Sequence, residues 1–522
     1  MTSSFAPPGR LARSGVPVAC ALAVSLLMTA CGGGGGGGPA LASSPAAGGS
    51  TPSTPSTPVA PAEPDPIPAD FTSYQNLCAA PRTGVDADGL AFPDRQGTLQ
   101  DEMRFLRGWA DRYYLWYKEI PATVRMADYR DAIGYFNALK TPALTASGKA
   151  KDRFHFTYTT AEWDALSNAG EEVGYGLTWS RNAATPPRTW LAAIVEPGSP
   201  AEKAGLRRGD MLTAVDGIDF VNTAGSSGVA AINAGLFPKG VGETHRLTVR
   251  RGDATVDVTL GAAVVASASV KNAKVIDGAG GRVGYLTFDD FNAVAEKQLI
   301  DAFAMFKSQG VNDLVIDMRY NGGGLLYIAS ELAYMVGGPA TSGKTFERLE
   351  YNDKRAPEAP IPFRETAYGF QSPNPARPGQ ALPSLGLKRV TVLTTAGTCS
   401  ASEAVINGLR GVDIQVDIVG DQTCGKPYGF TPVDNCGTTY FSIEFQGVNA
   451  KGYGDFADGF APTCKVADDL SRAQGDPAEG MLAAALNYRG SGVCPATRAK
   501  AVPMELVRPE ARTIAVLPRT GR

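Results

Sequence analysis

The chain reads as an α/β protein that carries an inserted β-rich module and an N-terminal helical region. Three observations predict this class. From Gly281 onward, strand-like apolar runs alternate with amphipathic helical ones, the pattern of a largely parallel sheet covered by helices. Between about 165 and 262 the pattern changes to short strand-like runs separated by Gly, Pro and Asp. Ahead of both, Met103, Leu106, Trp109, Ala110, Tyr113 and Trp116 recur at helical spacing.

Taken in order, the first 30 residues read as a targeting segment. Arg10 and Arg13 precede the apolar run "VPVACALAVSLLMTA", which is short for a bilayer span and ends in small residues. "LMTAC" resembles a bacterial lipoprotein signal, which implies cleavage before Cys31 and lipidation of that cysteine. An ordinary signal peptide cut near Ala30 is the alternative. Gly32 resembles the sorting pattern of outer-membrane rather than inner-membrane lipoproteins. Residues 31–70 are dominated by Gly, Ser, Thr, Pro and Ala, a composition that buries no apolar surface and acts as a tether. Residues 71–164 form the helical region, where the aromatic stripe is expected to be core and "ADYRDAIGYFNALK" a second helix.

Residues 165–262 hold the strand-like runs "TWLAAIVE", "MLTAVDGI", "HRLTVRR" and "ATVDVTL". "EPGSPAEKAGLRRGDMLTAVDG" resembles the central segment of a PDZ domain, with a short helix at Pro200–Ala204 that turns at Gly205. "GYGLTW" is similar to the loop and strand that receive a peptide terminus in such domains, which implies Tyr175, Gly176 and Leu177 as peptide-binding positions. The physical principle is β-augmentation: an extended peptide adds a strand while loop amides hold its carboxylate. A plain β-rich domain without that role is the alternative.

Residues 263–495 read as the α/β core, and 496–522 as an irregular, Arg-rich tail. "GRVGYLTFDDF" predicts a strand and turn, and "AEKQLIDAFAMFKSQG" a helix stopped by Gly310. "NDLVIDMRY" is a buried strand, "NGGG" a loop and "LLYIASELAYMV" a helix. "RVTVLTT", "SASEAVINGLR" and "VDIVG" repeat the strand–helix–strand order.

Composition narrows the function. With 49 Lys+Arg against 52 Asp+Glu and a formal charge of −3, nothing favours a nucleic-acid partner. Only two histidines occur, His155 and His245, so the chemistry is expected to do without histidine. Six cysteines remain after Cys20 and Cys31 are set aside, an even number that suits disulfides in an oxidising compartment. Six allow 15 pairings; Cys424 with Cys436 and Cys464 with Cys494 are local possibilities. No paired C-x-x-C stands near a histidine, and no metal or cofactor is expected.

Two loops after strands carry reactive groups, as α/β sheets arrange them. "DMRYNGGG", Asp317–Gly324, has glycines that let amides face a cleft, and "TTAGTCSASEAV" sets Ser400 at a helix start. A third stretch, "GDQTCGKP", has the G-x-x-x-x-G-K of a phosphate loop, but Pro427 stands where that loop needs a magnesium-binding hydroxyl. Together these motifs resemble the C-terminal processing peptidase family, serine proteases with a Ser-Lys dyad. The resemblance runs from the PDZ-like segment to about Lys426, in the family's order. It implies a crotonase/ClpP-like α/β protease core, Ser400 as nucleophile and Lys426 as general base. Gly323 or Gly322, with Ala401, would supply the backbone oxyanion donors. Many members carry a Gln four residues after the lysine; Phe430 stands there, which leaves a third polar partner unassigned. Glu403 is open between a bond inside the site and a solvated or capping role. The implied function is an exported, membrane-tethered endopeptidase acting on protein or peptide substrates captured by their C-termini. A catalytically silent PDZ-type adaptor is the alternative. The oligomeric state is not legible in the sequence.

Overall fold

The computed structural model describes residues 64–86, 89–278, 281–495, 505–507 and 515–516. The targeting segment, Cys31 and most of the tether lie outside the described residues. Among the described residues no helix is long and apolar enough to cross a membrane.

Helix α1, Leu99–Tyr113, begins at a capping box: the Thr98 amide donates to Asp101 and the Asp101 amide donates back to Thr98 Oγ1. It buries Met103, Phe105, Leu106, Trp109 and Ala110 against the aromatic residues of α2, Ala132–Ala138. Two sequence expectations change here. Trp116 lies beyond the helix, because Tyr114 turns extended to place its hydroxyl 2.7 Å from Asp152. The second helix is shorter than its pattern, because the Asp131 side chain caps the Gly134 amide and thereby sets the start.

The β-rich module is an antiparallel sheet of β1 (Leu177–Arg181), β2 (Trp190–Val195), β3 (Met211–Val215), β4 (Thr244–Arg251) and β5 (Ala254–Gly261), in the order β5-β4-β3-β2-β1. The short helix α3, Pro200–Lys203, is capped by Ser199 and starts with Pro at its first position. A second helix, α4 (Ser226–Leu236), was not read from the sequence. Its Gly-, Ala- and Ser-rich stretch has little polarity contrast, and it is anchored by the burial of Ile232 and Leu236.

The core sheet joins β6 (Val270–Gly278), β7 (Gly281–Phe288), β8 (Asp313–Asp317), β10 (Arg389–Thr394), β11 (Gln415–Gly420) and β12 (Cys464–Lys465), in that spatial order. Only the β6–β7 pair is antiparallel; the others are parallel. The short β9 (Gly324–Leu325) lies outside this sheet, at the end of the glycine loop. Helices α5 (Ala293–Ser308), α6 (Leu326–Gly337) and α7 (Ala401–Gly411) pack on one face with Leu286, Leu314, Ile316, Val392 and Ile418. The alternate residues Tyr285, Val315, Leu393 and Val419 meet α8 (Gly480–Ser491) on the other face. Burial on both faces explains why these strands read as continuous apolar runs.

Among the described residues three disulfides close the fold: Cys78–Cys436, Cys399–Cys424 and Cys464–Cys494. The last is the local pair expected. Cys424 does not pair with Cys436, because Cys436 sits on a hairpin whose Asn435 carboxamide accepts the Asn76 amide, bringing Cys78 to it across 358 residues.

Candidate active site

Both reactive loops emerge from the C-terminal ends of neighbouring strands, β8 and β10, on one edge of the sheet. Asn321 ties them together. Its carbonyl accepts the Cys399 amide and the Ser402 hydroxyl, each at 3.0 Å, and its carboxamide donates to the Phe288 carbonyl. Its side-chain oxygen accepts the Gly323 amide at 2.9 Å. Gly323 and Gly324 take φ of +112° and +133°, conformations that L side chains rarely adopt. With the Gly323 amide bonded to Asn321, Gly322 is the candidate donor from this loop.

Ser400 is the N-cap of α7 and has φ +61°, ψ −113°, an uncommon backbone for a residue with a Cβ. Ser400 is 2% exposed, and among the described residues its Oγ has no hydrogen-bond partner. A buried hydroxyl on a strained turn, at the positive end of a helix, is the form a nucleophile takes. Ala401 follows as the first helical residue.

Lys426 is 1% exposed. Its ammonium nitrogen lies 4.2 Å from the ring centroid of Phe430 and 4.6 Å from that of Phe154. Burial pushes it well below the usual lysine range, against the opposing pull of Asp152 and Glu403. Phe430 presents its ring face to this nitrogen, a contact that attracts an ammonium while the ring helps to exclude water, so it is burial as a whole that disfavours the charged form.

Glu403, on the first turn of α7, is wholly buried and joins the two halves of the site. One carboxylate oxygen accepts the Ser400 amide at 2.9 Å and the Lys426 amide at 2.8 Å. The other accepts the Thr423 hydroxyl at 2.5 Å and the Gly425 amide at 2.9 Å. The backbones of Ser400 and Lys426 are thus two hydrogen bonds apart. Burial raises this carboxyl group, and the donors from Thr423, Lys426, Ser400 and Gly425 oppose that rise. The sequence left Glu403 undecided; it both caps the helix and bonds within the site. The Cys399–Cys424 disulfide is a second, covalent link between the same two loops.

Asp152 was not singled out in the sequence. It is buried, bonded to the Tyr114 hydroxyl and the Phe154 amide, and lies 3.4 Å from His155 Nδ1. Burial raises it, but His155 and Tyr114 more than offset that, and it stays below the usual carboxyl range. It is the foremost opposite charge acting on Lys426. The run "KDRFHF" held the signal, an Asp and a His three positions apart beside two phenylalanines, without anything to link it to a residue over 270 positions later. His155 itself faces the Phe136 carbonyl at 2.9 Å.

In the β-rich module Gly176 has φ +69°, and a Cβ there would meet Ser199 at 2.4 Å, so the turn into β1 requires glycine. Tyr175 is buried with its hydroxyl on the Gly235 carbonyl, and its own carbonyl accepts the Ala201 amide. Leu177 opens β1 in register with Val195.

An α/β core joined to such a β-rich module is similar to known peptidases that carry a PDZ domain. Residues 282–466 match the model of peptidase family S41, and 193–226 match a PDZ domain. Carboxyl-terminal-processing proteases of Synechocystis and Picosynechococcus are 28% and 30% identical over 262 and 264 residues, 50% of this chain in each case. The matches cover 54% and 56% of those proteins, so the chain spans about half the length of the curated relatives it matches. An S41 protease structure from Bacteroides fragilis is similar over 77% of this chain and 98% of its own, at 25% identity and TM-score 0.56. Over these stretches the chain is similar to C-terminal processing peptidases of family S41.

Proposed function

We propose that the protein is an exported serine endopeptidase that hydrolyses protein substrates with Ser400 as nucleophile and Lys426 as general base. The carrying observation is that the backbone amides of a strained, buried Ser400 and of a buried Lys426 share one carboxylate oxygen of Glu403. The neutral Lys426 amine takes the Ser400 proton as Oγ attacks the peptide carbonyl, forming a tetrahedral oxyanion. The amides of Gly322 and Ala401 receive that oxyanion, each worth about 3 kcal/mol in related hydrolases. Lys426, now protonated, gives the proton to the leaving amine, and water then hydrolyses the acyl-enzyme by the same route. The PDZ-like module offers β1 and the Tyr175–Leu177 turn to an extended substrate terminus. Three disulfides favour an oxidising compartment, and lipidation at Cys31 would tether the protein to the cell envelope.

Incubation with casein, read by mass spectrometry, tests the reading. Fragments are expected from the wild type and none from Ser400→Ala. Silence of the wild type with casein and with C-terminal peptides overturns the proposal and favours a peptide-binding adaptor. Mass spectrometry of envelope-extracted protein tests lipidation: a diacylglyceryl mass on Cys31 is expected, and an unmodified N-terminus near residue 31 rejects it.

The disulfide between the loops gives a further expectation. Closing a 25-residue loop, it contributes about 3 kcal/mol. Cys399→Ser with Cys424→Ser should lower the melting temperature and slow casein cleavage, as should reductant on the wild type. Wild-type rates in both conditions would show that hydrogen bonds to Glu403 suffice.

A further inference from the structure

The sheet of the PDZ-like module does not end at β1. A segment from the far end of the chain, β13 (Glu505–Val507), pairs antiparallel with it, in the register Glu505 with Arg181, Leu506 with Ser180 and Val507 with Trp179. Without that segment β1 is the edge strand of the sheet, the place where an incoming peptide adds.

The side chains fit the position. Arg181 Nη2 lies 3.1 Å from a Glu505 carboxylate oxygen, an exposed pair that contributes little energy but suits this register. Val507 packs on the apolar core of the PDZ-like module. Leu506 packs on Ala193, Ile194 and Tyr320, and reaches Gly397 closely enough that a Cβ there would stand 3.5 Å from its Cδ1. Tyr320 precedes Asn321 in the glycine loop, and Gly397 is three residues before Ser400. One leucine thus wedges between the peptide-receiving strand and both loops of the candidate active site. Farther along, the backbone of β14 (Ala515–Val516) pairs in parallel with β9, Gly324–Leu325, beside Tyr428–Gly429. Glu505–Val507 thus lies on the peptide-receiving edge of β1, and Ala515–Val516 lies at the end of the glycine loop.

We infer that Glu505–Val507 is an intramolecular ligand that fills the peptide-receiving edge of β1 and holds the enzyme in a self-occluded state. This rests on the reading of β1 as a peptide-binding strand. A tethered ligand acts at a millimolar effective concentration, so weak intrinsic affinity is enough to exclude substrate. A substrate terminus must displace the segment, and doing so withdraws Leu506 from the loops that carry Asn321 and Ser400.

The test is peptide binding, which needs no catalysis. The full chain carrying Ser400→Ala is titrated against a fluorescein-labelled synthetic peptide of residues 503–510, with anisotropy as the readout. It is compared with the same protein carrying Leu506→Asp and Val507→Asp, and with one in which Glu505–Val507 are replaced by Gly-Ser-Gly. Both altered proteins are expected to bind the peptide about tenfold tighter than the intact segment allows. With Ser400 restored, both should cleave casein faster by a similar factor. A gain in affinity under threefold, including no binding to any of the proteins, overturns the inference. If affinity rises but casein stays intact in every protein, the displaceable segment stands and the peptidase reading fails.

Discussion

Lys426→Met is expected to abolish peptide hydrolysis and, at neutral pH, to stabilise the fold. Removing a nucleophile or its base in a serine protease costs about 10^6 in kcat, because the remaining groups have nothing to activate. The stability effect follows from burial. The folded state holds Lys426 well below the usual lysine range, whereas the unfolded chain protonates it up to about pH 10.4. Between the folded pKa and that value the unfolded state binds one more proton, so wild-type stability rises with pH through this window. At pH 7 the wild type carries the full cost of holding an uncharged lysine, and methionine does not. The variant's advantage should shrink as pH approaches 10.4, which denaturant midpoints at pH 7, 9 and 10.5 will show. As the proposed base, the same group is expected to set the acid limb of kcat/KM in the wild type. Activity is expected to rise with pH through a pKa below the ordinary lysine value; a limb near 10.4 would exclude Lys426 as the base.

These effects reside in residues of unequal legibility. Ser400 and Lys426 lie in short motifs whose spacing, one helix and one strand apart, is a local property of an α/β unit. The core strands were legible for the same reason: a strand buried on both faces must be apolar throughout, as in "NDLVID" and "RVTVLTT". What escaped was non-local. Asp152 acts on Lys426 only because Phe154 lies against the lysine and brings its neighbour with it, a contact with no periodicity to betray it. The partner of Cys78 was hidden by 358 residues of intervening chain. The strand at Glu505–Val507 escaped because three residues of an irregular, Arg-rich stretch carry no pattern. Its structure comes from the edge it joins, not from its own propensity.

Glu403 carries the second large effect, and its two oxygens predict different outcomes for two substitutions. In Glu403→Ala, three backbone amides and the Thr423 hydroxyl lose their acceptor inside a water-excluded site. A buried donor left unpaired costs about 1–3 kcal/mol, so the variant is expected to lose roughly 3–5 kcal/mol of stability. The loops bearing Ser400 and Lys426 lose their common anchor, and displacement of the dyad by about 1 Å would lower kcat by about 10^2. Glu403→Gln separates the two oxygens. Its carbonyl can replace only one of them, and its amino group must face donors at the other. The side of Thr423 is the cheaper place for that group, because a hydroxyl can turn to accept, which leaves the Gly425 amide unpaired and the Thr423 O–H in need of a new acceptor. Glutamine should therefore keep the Ser400 and Lys426 amides satisfied, cost about 1–3 kcal/mol, and retain much more activity than alanine. Melting temperatures and kcat/KM of both variants decide the matter. Equal losses from Gln and Ala would mean that the negative charge of Glu403, and not its geometry as an acceptor, sustains the site.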